Sequence, residues 1–163
     1  MLITLIVLLS ACSTTHIYIV RHGERLNGSD TTSLSAAGVQ RAQDLARLMT
    51  DKKIDSVFTS NYTRTRQTAM PTARLFGLTM IEYNPRPTEQ ITNRLKKIKG
   101  KHILVVGHSD TILEIAKQLE TKPTMPKIQA LDFDNILTVT IKRTFGKKKI
   151  TLNENTYGKQ TKP

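Results

Sequence analysis

The chain has 163 residues, 38% hydrophobic and 23% charged, with 25 Lys and Arg against 13 Asp and Glu for a net charge of +12. That length suits one domain with a single core rather than two. No apolar run reaches the roughly 18–20 residues of a membrane-spanning helix, and a lone cysteine rules out an internal disulfide.

The first twenty residues contain no Lys, Arg, Asp or Glu. Met1 to Leu9 is an apolar run of signal-peptide length, followed by small residues before Cys12. Leu9-Ser10-Ala11-Cys12 resembles the lipobox of bacterial lipoproteins, in which the cysteine is acylated and becomes the first mature residue. This divides the chain into a leader over 1–12 ending in the lipidation residue Cys12, a domain over 13–155 and a flexible tail over 156–163. The expected location is the periplasmic face of a bacterial cell envelope, held to the membrane by the lipid anchor only. The alternative is a cytoplasmic protein in which Leu2 to Leu9 is a buried first strand and Cys12 an inert core thiol.

Beyond the leader, short apolar strands alternate with helical patterns. His16 to Val20 reads as a strand, followed by a polar loop over Asn27–Ser33. Ser35 is the expected N-cap of a helix whose inner face is Val39, Ala42, Leu45, Ala46 and Met49. Asp55 to Thr59 is a second strand, and Thr63 to Leu75 a helix that Pro71 is expected to kink or interrupt. Leu78 to Tyr83 is a weaker third strand. Thr88 is the expected N-cap of a helix carrying Ile91, Leu95 and Ile98 and ending at Gly100.

Ile103-Leu104-Val105-Val106 is continuously apolar, as a parallel strand buried on both faces must be. Thr111-Ile112-Leu113-Glu114 reads as a capping box opening a helix with Ile112, Ile115, Ala116 and Leu119 inward. Leu137 to Arg143 and Lys148 to Leu152 alternate apolar with polar residues around Gly146, the pattern of an antiparallel hairpin. The order predicts an α/β fold of three layers, α/β/α, with a mostly parallel central sheet and a closing antiparallel hairpin.

Ligands of such sheets bind at the carboxyl ends of the strands. Three strands end there in Arg21-His22-Gly23-Glu24, in Ser60 with Arg64 four residues on, and in Gly107-His108-Ser109. Phosphoryl transfer accounts for two arginines and two histidines at one rim. Its transition state is stabilised by fixed positive charge and positioning, which the planar guanidinium supplies at any pH near neutrality. A neutral imidazole supplies the nucleophile.

In these segments the sequence resembles the histidine phosphatase superfamily, which includes phosphoglycerate mutases and acid phosphatases. Four elements carry the resemblance: Arg21-His22-Gly23; Leu34-Ser35-Ala36-Ala37-Gly38 with Ala42; Ser60 with Arg64-Thr65-Arg66-Gln67-Thr68-Ala69; and His108 after its apolar strand. It implies a phosphoglycerate mutase-like fold and a phosphomonoesterase working through a phosphohistidine on His22. It further implies that Arg21, Gly23, Arg64 and His108 bind the phosphate, with neither metal nor other cofactor. His16 and His102 are read as structural or surface groups.

The family's proton donor is matched less closely. Glu82 lies in the segment where mutases place a glutamate, Asp110 is one residue beyond the acid-phosphatase aspartate, and Glu24 adjoins the nucleophile loop. The alternative reading of Asp110 is a helix cap alone. The stretch between Ala69 and His102 is too short for the cap domain of larger members. An open pocket is therefore expected, suited to a phosphorylated small molecule or an envelope glycoconjugate. The basic runs Arg94–Lys101 and Lys147–Lys149 are read as solvated faces rather than a nucleic-acid surface, because aromatics make up only 5% of the chain. The competing readings are a phosphomutase and a non-catalytic lipoprotein that binds anions in the same pocket; the complete set of four residues favours catalysis.

Overall fold

The structure, a computed structural model, describes residues 12–161. Strand β1 (Ser13–Arg21) leads through a long loop to helix α1 (Ala36–Met49) and a short 3-10 turn, followed by β2 (Ser56–Ser60) and α2 (Thr63–Leu75). Then come β3 (Met80–Tyr83), α3 (Thr88–Lys97), β4 (His102–Gly107) and α4 (Thr111–Gln118), and the chain closes with β5 (Asn135–Thr144) and β6 (Lys147–Thr156). The six strands form one sheet in the order β3-β2-β4-β1-β5-β6. β3, β2, β4 and β1 run parallel, and β5 and β6 are antiparallel to their neighbours.

β1 and β4 lie at the centre, and each buries four successive apolar residues, Ile17–Val20 and Ile103–Val106. A strand alternates its side chains between faces, so such a run must be covered on both sides. On one face Tyr18, Val20, Leu104 and Val106 pack under Leu45 and Met49 of α1 and Ala69 and Ala73 of α2. On the other, Ile17, Ile19, Ile103 and Val105 pack under Ile91 and Leu95 of α3, Ile112 and Ile115 of α4, and Leu119 just beyond its end. The predicted three layers are present, with strand ends up to four residues from those predicted.

Several local expectations need correction. Val39, placed on the inner face of α1, is exposed, and α3 ends at Lys97, short of Ile98 and Gly100. Helix α2 runs through Pro71, because the buried face of Thr65, Thr68, Ala69, Thr72 and Ala73 fastens both halves to the sheet. Thr88 is the first residue of α3 rather than its cap, which falls on Pro87. Thr111 and Glu114 form no capping box. The Thr111 hydroxyl instead accepts from the His108 amide at 3.1 Å, and Glu114 reaches Arg86.

A further correction concerns the tail. β6 extends to Thr156, and residues 157–161 are docked: Tyr157 is buried, its amide donates to the Asp134 carbonyl at 2.9 Å, and Arg41 donates to the Tyr157 and Lys159 carbonyls. Backbone carbonyls as the partners of a helix arginine leave no mark in a sequence. The predicted leader lies outside the described residues except for Cys12, which is exposed just ahead of β1.

Candidate active site

The carboxyl ends of β1, β2 and β4 surround a cavity of about 590 Å³ lined by Arg21, His22, Arg64 and His108, with Arg25, Tyr62, Arg86 and Asp110 among the other walls. The four residues singled out from the sequence therefore meet. No element between α2 and α3 other than β3 is available to cover them, so the cavity is open, as the chain length led us to expect.

His22 follows β1, its amide continuing the ladder by donating to the Gly107 carbonyl at 3.0 Å. Its Nδ1 lies 2.7 Å from the Gly23 carbonyl oxygen. A carbonyl only accepts, so Nδ1 carries the proton and the lone pair is on Nε2. Burial pushes the His22 pKa down to about 3, against the upward pull of the Gly23 carbonyl and with help from the charges of Arg21, His108 and Arg64. The ring is neutral across the physiological range.

Arg21 and Arg64 are buried, with 5% and 6% of their surface exposed. Neither pairs with a carboxylate among the described residues. Arg21 Nη1 donates to the carbonyls of Gln129 at 2.9 Å and Asp132 at 2.8 Å, and its guanidinium stacks 4.0 Å from the Phe133 ring centroid. Arg64 Nη1 donates to the Asp30 carbonyl at 2.7 Å, and its guanidinium lies 4.4 Å from the Tyr62 ring centroid. Carbonyls and ring faces orient a cation without neutralising it. Buried arginines are ordinarily paired, and Arg21 is destabilised enough by burial and the nearby Arg25 charge to bring its pKa down to about 10. The site is short of negative charge.

His108 stands edge-on to His22, ring centroids 5.5 Å apart at 69°. Its Nδ1 is 3.5 Å from Arg64 Nη2, which can only donate; Nε2 therefore carries the proton and donates to Ser60 Oγ at 2.8 Å. The chain continues with one polarity, Ser60 Oγ donating to Thr65 Oγ1 at 3.0 Å and Thr65 Oγ1 to the Ser60 and Tyr62 carbonyls. Burial and Arg64 push the His108 pKa down to about 4, with Asp110 pulling upward.

The third motif, around Arg64, is thereby explained residue by residue. Ser60 and Thr65 orient His108, Gln67 Oε1 accepts from the Leu34 amide at 2.7 Å, and Thr68 Oγ1 accepts from the Gly23 amide at 2.9 Å. Gly23, which the resemblance makes a phosphate-binding residue, is not among the residues lining the cavity. What its missing side chain admits is α1, since a Cβ there would sit 2.8 Å from the Gly38 carbonyl oxygen.

The proton-donor candidates separate. Glu24 is held by Arg41 through three hydrogen bonds of 2.7 to 3.1 Å and does not line the cavity. Glu82 pairs with Arg66 at 2.9 Å and faces an adjoining depression. Asp110 does line the cavity. It bonds Arg86 at 2.7 Å, and although burial raises its pKa, the Arg86 bond and its own backbone amide outweigh that and hold it below the ordinary value. Asp110 begins α4 without capping it. Arg25, Arg86, Tyr62 and the 129–133 loop were missed in the sequence; only Arg25, three residues after His22, offered a signal there.

A parallel α/β sheet that gathers two uncompensated arginines and two neutral histidines at its carboxyl edge defines a phosphate-handling protein. The family model for the histidine phosphatase superfamily (branch 1) matches residues 17–91, and over that stretch the chain is similar to the superfamily. No curated protein matches the chain. Among solved structures it is similar to the protein histidine phosphatase SixA complexed with tungstate, at 19% identity and a TM-score of 0.66 over 86% of this chain and 96% of that one. A SixA described as a phosphohistidine phosphatase from Nakamurella is similar at 15% identity and a TM-score of 0.63 over 90% and 96% of the two chains. A mycobacterial glucosyl-3-phosphoglycerate phosphatase, complexed with VO3, is similar at 13% identity and a TM-score of 0.65 over 85% and 97%. These share the fold, and the family match supports a phosphatase-type enzyme.

Proposed function

We propose that the protein is a phosphomonoesterase acting through a phosphohistidine on His22. The observation that carries this reading is the pair of buried guanidiniums, Arg21 and Arg64, held by carbonyls without a carboxylate counterion beside an imidazole whose free lone pair is on Nε2. A phosphate dianion supplies the missing charge and brings phosphorus to that atom.

The His22 Nε2 pair forms the N–P bond as the ester P–O bond breaks, and the leaving oxygen takes up a proton. Water then attacks phosphorus, the P–N bond breaks, and inorganic phosphate departs. Arg21 and Arg64 hold the phosphoryl oxygens in both steps, and His108, whose Nε2–H is engaged by Ser60, joins them once the dianion's charge has protonated its Nδ1. Asp110 is the candidate that lines the cavity; held ionised below its ordinary pKa, it is free to accept the proton of the attacking water in the second step, but only as a weak base. As an acid in the first step it serves only once protonated, so esters with good leaving groups are favoured. The open rim with Arg25 and Arg86 fits a phosphorylated small molecule or glycoconjugate carrying further anionic groups.

Turnover of p-nitrophenyl phosphate beside His22→Ala tests the reading, together with alkaline-quench trapping of an acid-labile, alkali-stable phosphoprotein. Equal rates for the two proteins would remove His22 as nucleophile. Phosphate binding without turnover on a broad phosphoester panel would favour the anion-binding role.

A further inference from the structure

We infer that the pole of the domain opposite the active site is a docking surface for an anionic phospholipid bilayer. β1 fixes the geometry. Cys12 and Ser13 lie at its start and His22 follows its end, so nine strand residues place the two poles about 26 Å apart at about 3.3 Å per residue. The antiparallel register sets Ser13 opposite Arg143 and Thr14 opposite Lys142, which brings the β5–β6 turn to the start of β1. α3 ends at the same pole: Arg143 donates to the Lys96 carbonyl at 3.1 Å, and Ser13, Lys99, Arg143, Lys147 and Lys148 line one depression there.

Two features of this hairpin end cost the fold something that packing does not return. The two-residue turn is Phe145-Gly146, both with positive φ, 46° and 78°. Such a turn favours Asn-Gly or Gly-Gly, and a bulky residue at its first position is strained; yet Phe145 is 79% exposed and belongs to neither core cluster. Behind it, cations face one another across the strands, Lys142 opposite Lys149 and Arg143 opposite Lys148. Like charges in direct register are destabilising. Glu120 neutralises Lys148, but among the described residues Lys142, Lys147 and Lys149 have no carboxylate partner, and all three are exposed.

An aromatic side chain at a protruding tip, ringed by uncompensated lysines, is complementary to one kind of surface: an apolar layer beneath a sheet of negative charge. The ring enters the headgroup boundary and the ammonium groups remain among the phosphates. A nucleic acid would match the charge but would not explain a lone exposed phenylalanine on a turn that disfavours it. In this orientation the His22 cavity opens away from the membrane. The inference does not depend on acylation of Cys12 or on the catalytic reading.

The test uses full-length protein carrying Cys12→Ser, so that no acyl chain contributes, with vesicles of phosphatidylglycerol and phosphatidylcholine at 3:7 and of phosphatidylcholine alone. Binding is expected to the anionic vesicles only and to fall steeply at 0.5 M salt. Combined Lys142→Glu, Lys147→Glu and Lys149→Glu should weaken it by at least about 50-fold, and Phe145→Ser by about tenfold, with aryl phosphatase rate and circular dichroism unchanged. The chain contains no tryptophan, so Phe145→Trp reports directly: its emission should shift to the blue on anionic vesicles and be quenched by brominated lipid. Unquenched emission, vesicle binding unaffected by the charge reversals, or binding to duplex DNA or RNA without vesicle binding would each overturn the proposal.

Discussion

A Cβ placed on Gly38 would lie 2.3 Å from the carbonyl oxygen of Glu24. Helix α1 thus starts in direct backbone contact with the loop that carries His22, and Ser35 reinforces the junction by donating its amide to the same carbonyl at 2.9 Å. Alanine ordinarily stabilises a helix interior by about 0.5–1 kcal/mol over glycine. Here the sign reverses, because the clash is with backbone that cannot swing aside. Gly38→Ala is expected to cost about 1–3 kcal/mol, read as a lowered Tm, and to reduce kcat by displacing His22.

Acid should destabilise the protein in a definite window. His22 and His108 have folded pKa values pushed down to about 3 and about 4, against an ordinary 6.5. Between those values the unfolded chain binds protons that the folded one refuses, so stability falls as pH drops from about 6.5 towards 4 and is fully present above 6.5. Denaturant midpoints at pH 7.5, 6, 5 and 4 measure this, and His22→Ala should flatten the slope. Phosphate lessens the effect, since a bound dianion raises both values. Aryl phosphatase activity should show no His22 limb near pH 6.5.

The four site residues were legible because each ends a strand or opens a helix within a compact motif. Their supports were not. Gln129, Asp132 and Asp30 hold the arginines through backbone carbonyls, to which any residue type contributes equally, and Phe133 lies 112 positions from Arg21 (133 − 21) with no local pattern to link them. The three layers followed from two continuous apolar strands and periodic helices. The docked tail did not, because Tyr157 is a single apolar residue in a polar stretch.

Conservative removal of each carboxylate distinguishes their roles. Asp110→Asn is expected to slow turnover by about 10–100-fold, and Arg86→Gln, by releasing Asp110, to raise the pKa of the limb that Asp110 sets in the pH–rate profile. Glu82→Gln should change neither rate nor stability, its pair with Arg66 being exposed. Glu24→Gln should lower Tm and leave the chemical step intact, because Glu24 faces Arg41 rather than the cavity. A pH profile unchanged by Asp110→Asn would remove the last of the three candidates.

Arg41 ties the nucleophile loop to the end of the chain. Its guanidinium, 3% exposed, grips Glu24 two residues beyond His22 and donates to the Tyr157 and Lys159 carbonyls at 3.1 and 2.9 Å. Arg41→Ala strands a half-buried carboxylate and two carbonyls together, a loss of about 3–5 kcal/mol. Arg41→Lys keeps the charge but cannot reach all three partners from one ammonium, so it should fall between alanine and wild type. Both should also free residues 157–161, read as faster proteolysis near Tyr157 under native conditions. Because Glu24 and the tail share one partner, Glu24→Gln combined with Arg41→Ala should cost less than the sum of the two; strict additivity would mean that the loop and the tail are held independently.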